Sequence, residues 1–210
     1  ARTRATRTPK WRGIDPRSPF PQSPSARFGD IIAGMTAPAS STKGPRRKDA
    51  LATRERLVRA GLDLFTQQSY RGTTTLDIAA RARIAEATIY RHFVGKEALF
   101  NEAYRKSLRW GVTVLKLGAN ERGATSQTRL GVVARAIVDQ VPKDPALVTM
   151  LVRRHDGAAL EETTIHLQRE FRDHLTQIIA AGKQQGLIRP GAADLWSAVW
   201  LALISFVVER

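Results

Sequence analysis

Glu162, His166, Glu170 and His174 recur at every fourth position, and a carboxylate and an imidazole four residues apart on a helix can share a metal ion. At 3.6 residues per turn each such step drifts by about 40°, so only neighbouring pairs converge. The chain has no cysteine and offers no third ligand nearby, so the four read as a solvated or dimer-facing polar stripe; no metal and no cofactor are expected. The lack of cysteine also removes thiol catalysis, disulfides and thiolate zinc sites. His155-Asp156 beside Gly157 looks like a helix end, and no Ser-His-Asp arrangement, phosphate-cradling glycine loop or close acid pair stands in a recognisable context. The sequence does not point to an enzyme.

The charge points elsewhere. Lys plus Arg number 34 against 19 Asp plus Glu, a net +15 that suits a polyanionic partner. Residues 1–49 hold 11 basic and 3 acidic residues, 50–105 hold 9 and 6, and 106–210 hold 14 and 10. The opening segment also carries 7 of the 10 prolines and no periodicity, so 1–48 is expected to be a disordered basic tail, with Met35 as the native start. The longest apolar run, Leu195 to Val208, spans 14 residues, short of the roughly 20 needed to cross a bilayer. Without a membrane span or the apolar core of a signal peptide, a cytoplasmic location is expected.

From about Asp49 onward the pattern is helical. Leu57, Val58, Gly61, Leu62 and Phe65 form an apolar stripe backed by Arg54, Arg56, Arg59 and Asp63, which predicts a helix ending near Ser69. After a turn at Gly72, Thr74 is a good N-cap for a short helix carrying Leu76, Ile78, Ala79 and Ala82. A second short helix runs from Glu86 to Phe93, and Gly95 breaks the chain before a helix from Lys96 to about Gly111. Two short helices across a tight turn, flanked by longer ones, form a helix-turn-helix. Ala79 supplies the small residue at the crossing, Arg83 falls in the turn and Ile89 is the inward anchor. Spacing alone fits an ordinary helical hairpin equally well.

The run from Thr53 to Phe100 resembles the N-terminal DNA-binding domain of the TetR (tetracycline-repressor-type) family of transcriptional regulators, without gaps and over about a quarter of the chain. The most specific pieces are Leu64-Phe65, Thr73-Thr74 with Asp77-Ile78-Ala79, Thr88-Ile89-Tyr90-Arg91-His92-Phe93 and Lys96-Glu97-Ala98-Leu99. The resemblance implies an all-α fold: an N-terminal three-helix helix-turn-helix domain, 49–105, and a C-terminal helical ligand-binding and dimerisation domain, 106–210. It implies a repressor that binds a palindromic double-stranded operator as a homodimer and is released by a small-molecule effector. Carried over residue by residue, Thr74 and Thr75 grip a phosphate, Thr88, Arg91 and His92 face DNA, Tyr90 stacks against the backbone and Lys96 meets a phosphate. Ile89 and Phe93 belong to the core. The chain departs from the family pattern in two places. Arg83 stands where glycine is usual, at a cost of roughly 1–2 kcal/mol if the residue is left-handed. Ala85-Glu86 replaces a serine followed by a basic residue, so either the operator is unusual or Arg83 and a basic arm, Lys43, Arg46, Arg47 and Lys48, compensate. Glu86 could accept from a cytosine amine but would repel phosphates. The arm reads equally as a minor-groove contact or a solvated tail.

Further helices are predicted over 107–118, 126–141, 145–155, 159–185 and 192–210, punctuated by Pro142, Pro145 and Pro190. An effector pocket would be lined by Trp110, Val114, Val133, Ile137, Leu147, Met150 and Leu151, the residues that any helical core would also need. Phe171, Leu175, Ile178, Trp196, Val199, Trp200 and Leu203 are the expected dimer interface. Two other readings remain: a basic helical protein that binds nucleic acid without sequence preference, and a ligand-binding dimer whose helix-turn-helix no longer reads DNA.

Overall fold

The computed structural model describes residues 45–119, 123–155 and 158–210. Of the tail expected over 1–48, residues 1–44, with Met35 and Lys43, lie outside the described residues, as do Asp156 and Gly157. All the described elements are helical. They are α1 (Pro45–Gly72), α2 (Thr75–Ala82), a 3₁₀ helix (Glu86–Arg91), α3 (Lys96–Ala119), α4 (Ser126–Gln140), α5 (Pro145–Val152), α6 (Glu162–Gln184) and α7 (Ala193–Val208).

Helix α1 begins at Pro45 rather than at Asp49, because proline's fixed φ suits a first helical position. Arg46, Arg47 and Lys48 therefore stand in its first turn, not in an extended arm. Its far end runs past Ser69 to Gly72, with Ser69 left-handed at φ 67°, ψ 169°, where the helix kinks. The Thr73 hydroxyl closes the kink by donating to the Ser69 carbonyl at 2.8 Å. Leu57, Leu62 and Phe65, at most 2% exposed, pack this helix onto α2, α3 and α5.

Helix α3 joins the two expected segments into one of 24 residues. Neither proline nor a cap interrupts it, and Gly111 serves close approach rather than termination. A Cβ there would lie 2.8 Å from both Leu151 Cδ1 and Phe171 Cε2. Gly118 does the same for α4, where a Cβ would meet Val133 Cγ2 at 2.6 Å. The domain boundary expected after residue 105 thus falls inside a continuous helix that packs on α1, α4, α5 and α6.

Around α3, Val114, Val133, Ile137, Leu147, Met150 and Leu151 are buried and Trp110 is half-buried. Helix α5 is started by Asp144, whose carboxylate accepts from Leu147 N–H at 3.0 Å, with Pro145 at the first helical position. Phe171, Leu175 and Ile178, expected at a dimer surface, are instead interior to the single chain. Helix α6 turns that stripe inward while packing on α3, α4 and α7, so these side chains are not available to a partner. On the outer side, Glu170 accepts from Lys116 Nζ at 2.7 Å and lies 3.7 Å from His174 Nε2. The Lys116 hydrogen bond holds the Glu170 carboxyl below its ordinary range.

Candidate nucleic-acid interface

The reading head is assembled from local bonds. Thr74 caps α2 in a reciprocal box: its hydroxyl accepts from Asp77 N–H at 3.1 Å, and the Asp77 carboxylate accepts from Thr74 N–H at 3.0 Å and from the Thr74 hydroxyl at 2.6 Å. These bonds hold the Asp77 carboxyl below its usual range. Ile78 and Ala79 face inward, but Leu76, expected on the same apolar stripe, is 63% exposed. Leu76 is the second residue of the helix, one turn or less from its capped end.

The turn is made by Arg83, which is left-handed at φ 56°, ψ 52°, and its N–H and that of Ile84 close α2 on the carbonyls of Ala80 and Ala79. The following element is a 3₁₀ helix of six residues, shorter than the expected Glu86–Phe93 helix. Ile89, fully buried, and Phe93 pin it to the head, and the Arg54 guanidinium lies 4.9 Å over the Phe93 ring. What remains outside is Arg83, Ala85, Ala87, Tyr90 and Arg91, with Thr88 and His92 half-buried. Tyr90 is 57% exposed, so its ring is not core.

Three side chains expected at phosphates are engaged internally. Besides the Thr74 cap, the Thr75 hydroxyl donates to Glu86 Oε1 at 2.6 Å. Lys96 Nζ donates to the carbonyls of Tyr70 at 3.0 Å and Thr73 at 2.9 Å, and it sits 4.3 Å over the Tyr70 ring. The ammonium thereby closes the end of α1, where helix carbonyls lack partners, and keeps one N–H for an outside acceptor. The Arg83 and Arg91 guanidinium groups, by contrast, are exposed with no hydrogen-bond or ion-pair partner among the described residues.

Polar ties that the sequence did not disclose run within this head and from it to the rest of the chain. Arg54 donates to Glu102 at 2.8 Å, Arg59 pairs with Asp144 at 2.6 Å, and Arg153 donates to the Thr66 carbonyl at 2.7 Å while pairing with Glu209 at 3.3 Å. Glu102 also takes Arg105 at 3.1 Å and Arg109 at 3.2 Å. Burial alone would raise the Glu102 carboxyl, but hydrogen bonds from the three arginines override it and hold it at about 2. Asn101 donates to the Ala159 carbonyl at 2.9 Å and accepts from Glu161 N–H at 2.9 Å, so α3 grips the segment leading into α6. Only the i, i+3 charge pattern of Glu102 with Arg105 could have flagged any of this.

The family model for bacterial regulatory proteins of the tetR family matches residues 57–103, which include α2, the turn and the 3₁₀ helix. The chain is 28% identical over 148 residues to the "Probable acrEF/envCD operon repressor" of Escherichia coli strain K12, covering 68% of this chain and 67% of that one. Against the "HTH-type transcriptional regulator TcmR" of Streptomyces glaucescens it is 30% identical over 155 residues, covering 68% and 66%. The chain belongs to the TetR family. A solved gamma-butyrolactone receptor (ArpA-like protein) shares the fold at a TM-score of 0.64 and 22% identity, covering 77% of this chain and 84% of that one. As a TetR-family member the protein is a DNA-binding transcriptional regulator with repressor-named relatives, and not an enzyme.

A second surface lies at the other end of the chain. Helix α7 buries Ser197 and Ile204 and half-buries Trp196 and Trp200, but Leu195, Val199, Leu203, Phe206 and Val207 are 41–62% exposed. Between Asp194 and Glu209 the helix carries no charge. No helix of the described residues is long and apolar enough to cross a membrane.

Proposed function

We propose that this TetR-family regulator is a cytoplasmic repressor that binds a palindromic operator as a homodimer, one head per half-site, and is released by a small-molecule effector. The observation that carries the reading is the buried Ile89 anchor, which turns Tyr90 and the unpartnered Arg91 outward on one side of a short helix. In the proposed complex Arg91, Thr88 and His92 face the major groove. Tyr90, the third N–H of Lys96, and the free N–H groups at the start of α2 take phosphates, with Arg83 beside them. The uncharged outer face of α7 supports the dimer: Val199 and Leu203 meet the partner there, flanked by Trp196 and Trp200.

The effector site is proposed around Trp110, whose indole N–H is buried without an acceptor, with Val114, Val133, Ile137, Leu147, Met150 and Leu151 as its apolar wall. A carbonyl-bearing ligand would supply that acceptor, in keeping with the fold shared with a gamma-butyrolactone receptor. Trp110 and Lys96 stand on the same helix, about 21 Å apart along its axis. Effector binding that shifts α3 would therefore change the separation of the two heads, provided the effector favours one separation over the other.

Footprinting on the DNA upstream of the protein's own gene tests the reading. A protected palindrome with half-sites about 34–36 Å apart is expected. Diffuse protection would favour the sequence-indifferent basic protein, and no protection would favour a dimer that has lost DNA reading.

A further inference from the structure

We infer that Glu86 is a base-reading residue, its carboxylate held by Thr75 so that it accepts a hydrogen bond from the exocyclic amine of a cytosine in each half-site. The inference deepens the operator-binding reading and rests on it.

Glu86 opens the 3₁₀ helix, and the N-terminal residues of a recognition helix are those that reach base edges. Its neighbours Ile84, Ala85 and Ala87 carry no polar side-chain atom. Between Arg83 and Thr88, Glu86 is therefore the one side chain that can recognise a base by hydrogen bonding. It is half-buried, and its Oε1 accepts from the Thr75 hydroxyl at 2.6 Å. A free glutamate among phosphates would swing away. One tied at the corner between α2 and the recognition helix has already lost part of its rotamer freedom, as a specificity element requires.

The chemistry of a carboxylate then selects the base. It accepts only, so guanine with two acceptors and thymine with its O4 are repelled. Adenine sets an acceptor beside its amine, whereas cytosine presents the amine alone on its major-groove edge. Thr75 on this account is a positioning residue: its hydroxyl proton is directed to Glu86 and not to a phosphate.

The test selects duplexes from a pool randomised across the protected site, using the full chain as wild type, Glu86→Ala and Thr75→Val, and then measures affinity for each base at each position. Wild type is expected to prefer cytosine at one position per half-site by about tenfold, the scale of one well-made base contact. Glu86→Ala should flatten that position to within about twofold and leave every other preference intact, which also shows that the variant is folded. Thr75→Val should give an intermediate loss at the same position. If Glu86→Ala instead binds every sequence more tightly by one common factor, with the cytosine preference unchanged, Glu86 only repels phosphate and the inference is overturned. Wild type that selects no sequence at all would bring down the operator-binding reading itself, and this inference with it.

Discussion

The head and helix α7 expose opposite chemistry. The head shows Arg83, Tyr90 and Arg91 to solvent and keeps its large aliphatic residues inside, apart from Leu51, Leu76 and Val94. Helix α7 shows a row of leucine, valine and phenylalanine without an intervening charge. The head is locally complete, because capping box, left-handed turn and Ile89 anchor are all satisfied within one chain. The α7 face is not, and it gains stability only when something apolar covers it. Folding and assembly should therefore respond to different substitutions.

Ile89→Ala gives the largest effect expected. It removes a fully buried anchor and should cost roughly 2–5 kcal/mol of stability, read as a lowered denaturation midpoint with the oligomeric state unchanged while the protein remains folded. Leu203→Asp makes the complementary change. Placed on a residue 62% exposed, it should leave the secondary structure intact and convert dimer to monomer in sedimentation, weakening association by about 1–3 kcal/mol or more. A Leu203→Asp protein that stays dimeric would break the comparison.

Glu102 sharpens it further, since this carboxylate belongs to the ties between head and body. Its folded pKa of about 2 lies below the unfolded value of 4.5, so its contribution is present above pH 4.5 and is lost as pH falls towards 2. After allowance for solvent screening, Glu102→Gln should cost about 1–2 kcal/mol at neutral pH. That difference from wild type should vanish in urea melts near pH 2. The smallest effect belongs to the turn: Arg83→Gly relieves a left-handed non-glycine residue and should raise stability by about 1 kcal/mol or less, once the greater freedom of the unfolded chain is counted. Thermal melting measures it.

The head was legible in the sequence because its determinants are local. Thr74 followed by Asp77 writes the cap, and Ile89 writes the anchor within a few residues of the turn. The helical segments beyond Ser126 were legible for the same reason, bounded as they are by Thr125, Asp144 and the prolines. What periodicity could not convey is which surface covers an apolar stripe. Phe171, Leu175 and Ile178 have the spacing of a buried face, and only the tertiary arrangement shows that the chain's own helices bury it. The same limit applies to Lys96 and Thr75. Their types suit phosphate, but two carbonyls and the Glu86 carboxylate, distant in sequence, decide where those donors point.

The proposed repressor requires that the outer face of the recognition helix read DNA. This requirement is tested most directly by the affinity of Arg91→Ala for the protected duplex, measured against wild type across a salt series. A loss of about 1–3 kcal/mol per half-site is expected, with either a relaxed base preference or a salt slope reduced by about 1 for each lost phosphate contact. Unchanged affinity, slope and preference in a folded Arg91→Ala protein would contradict it.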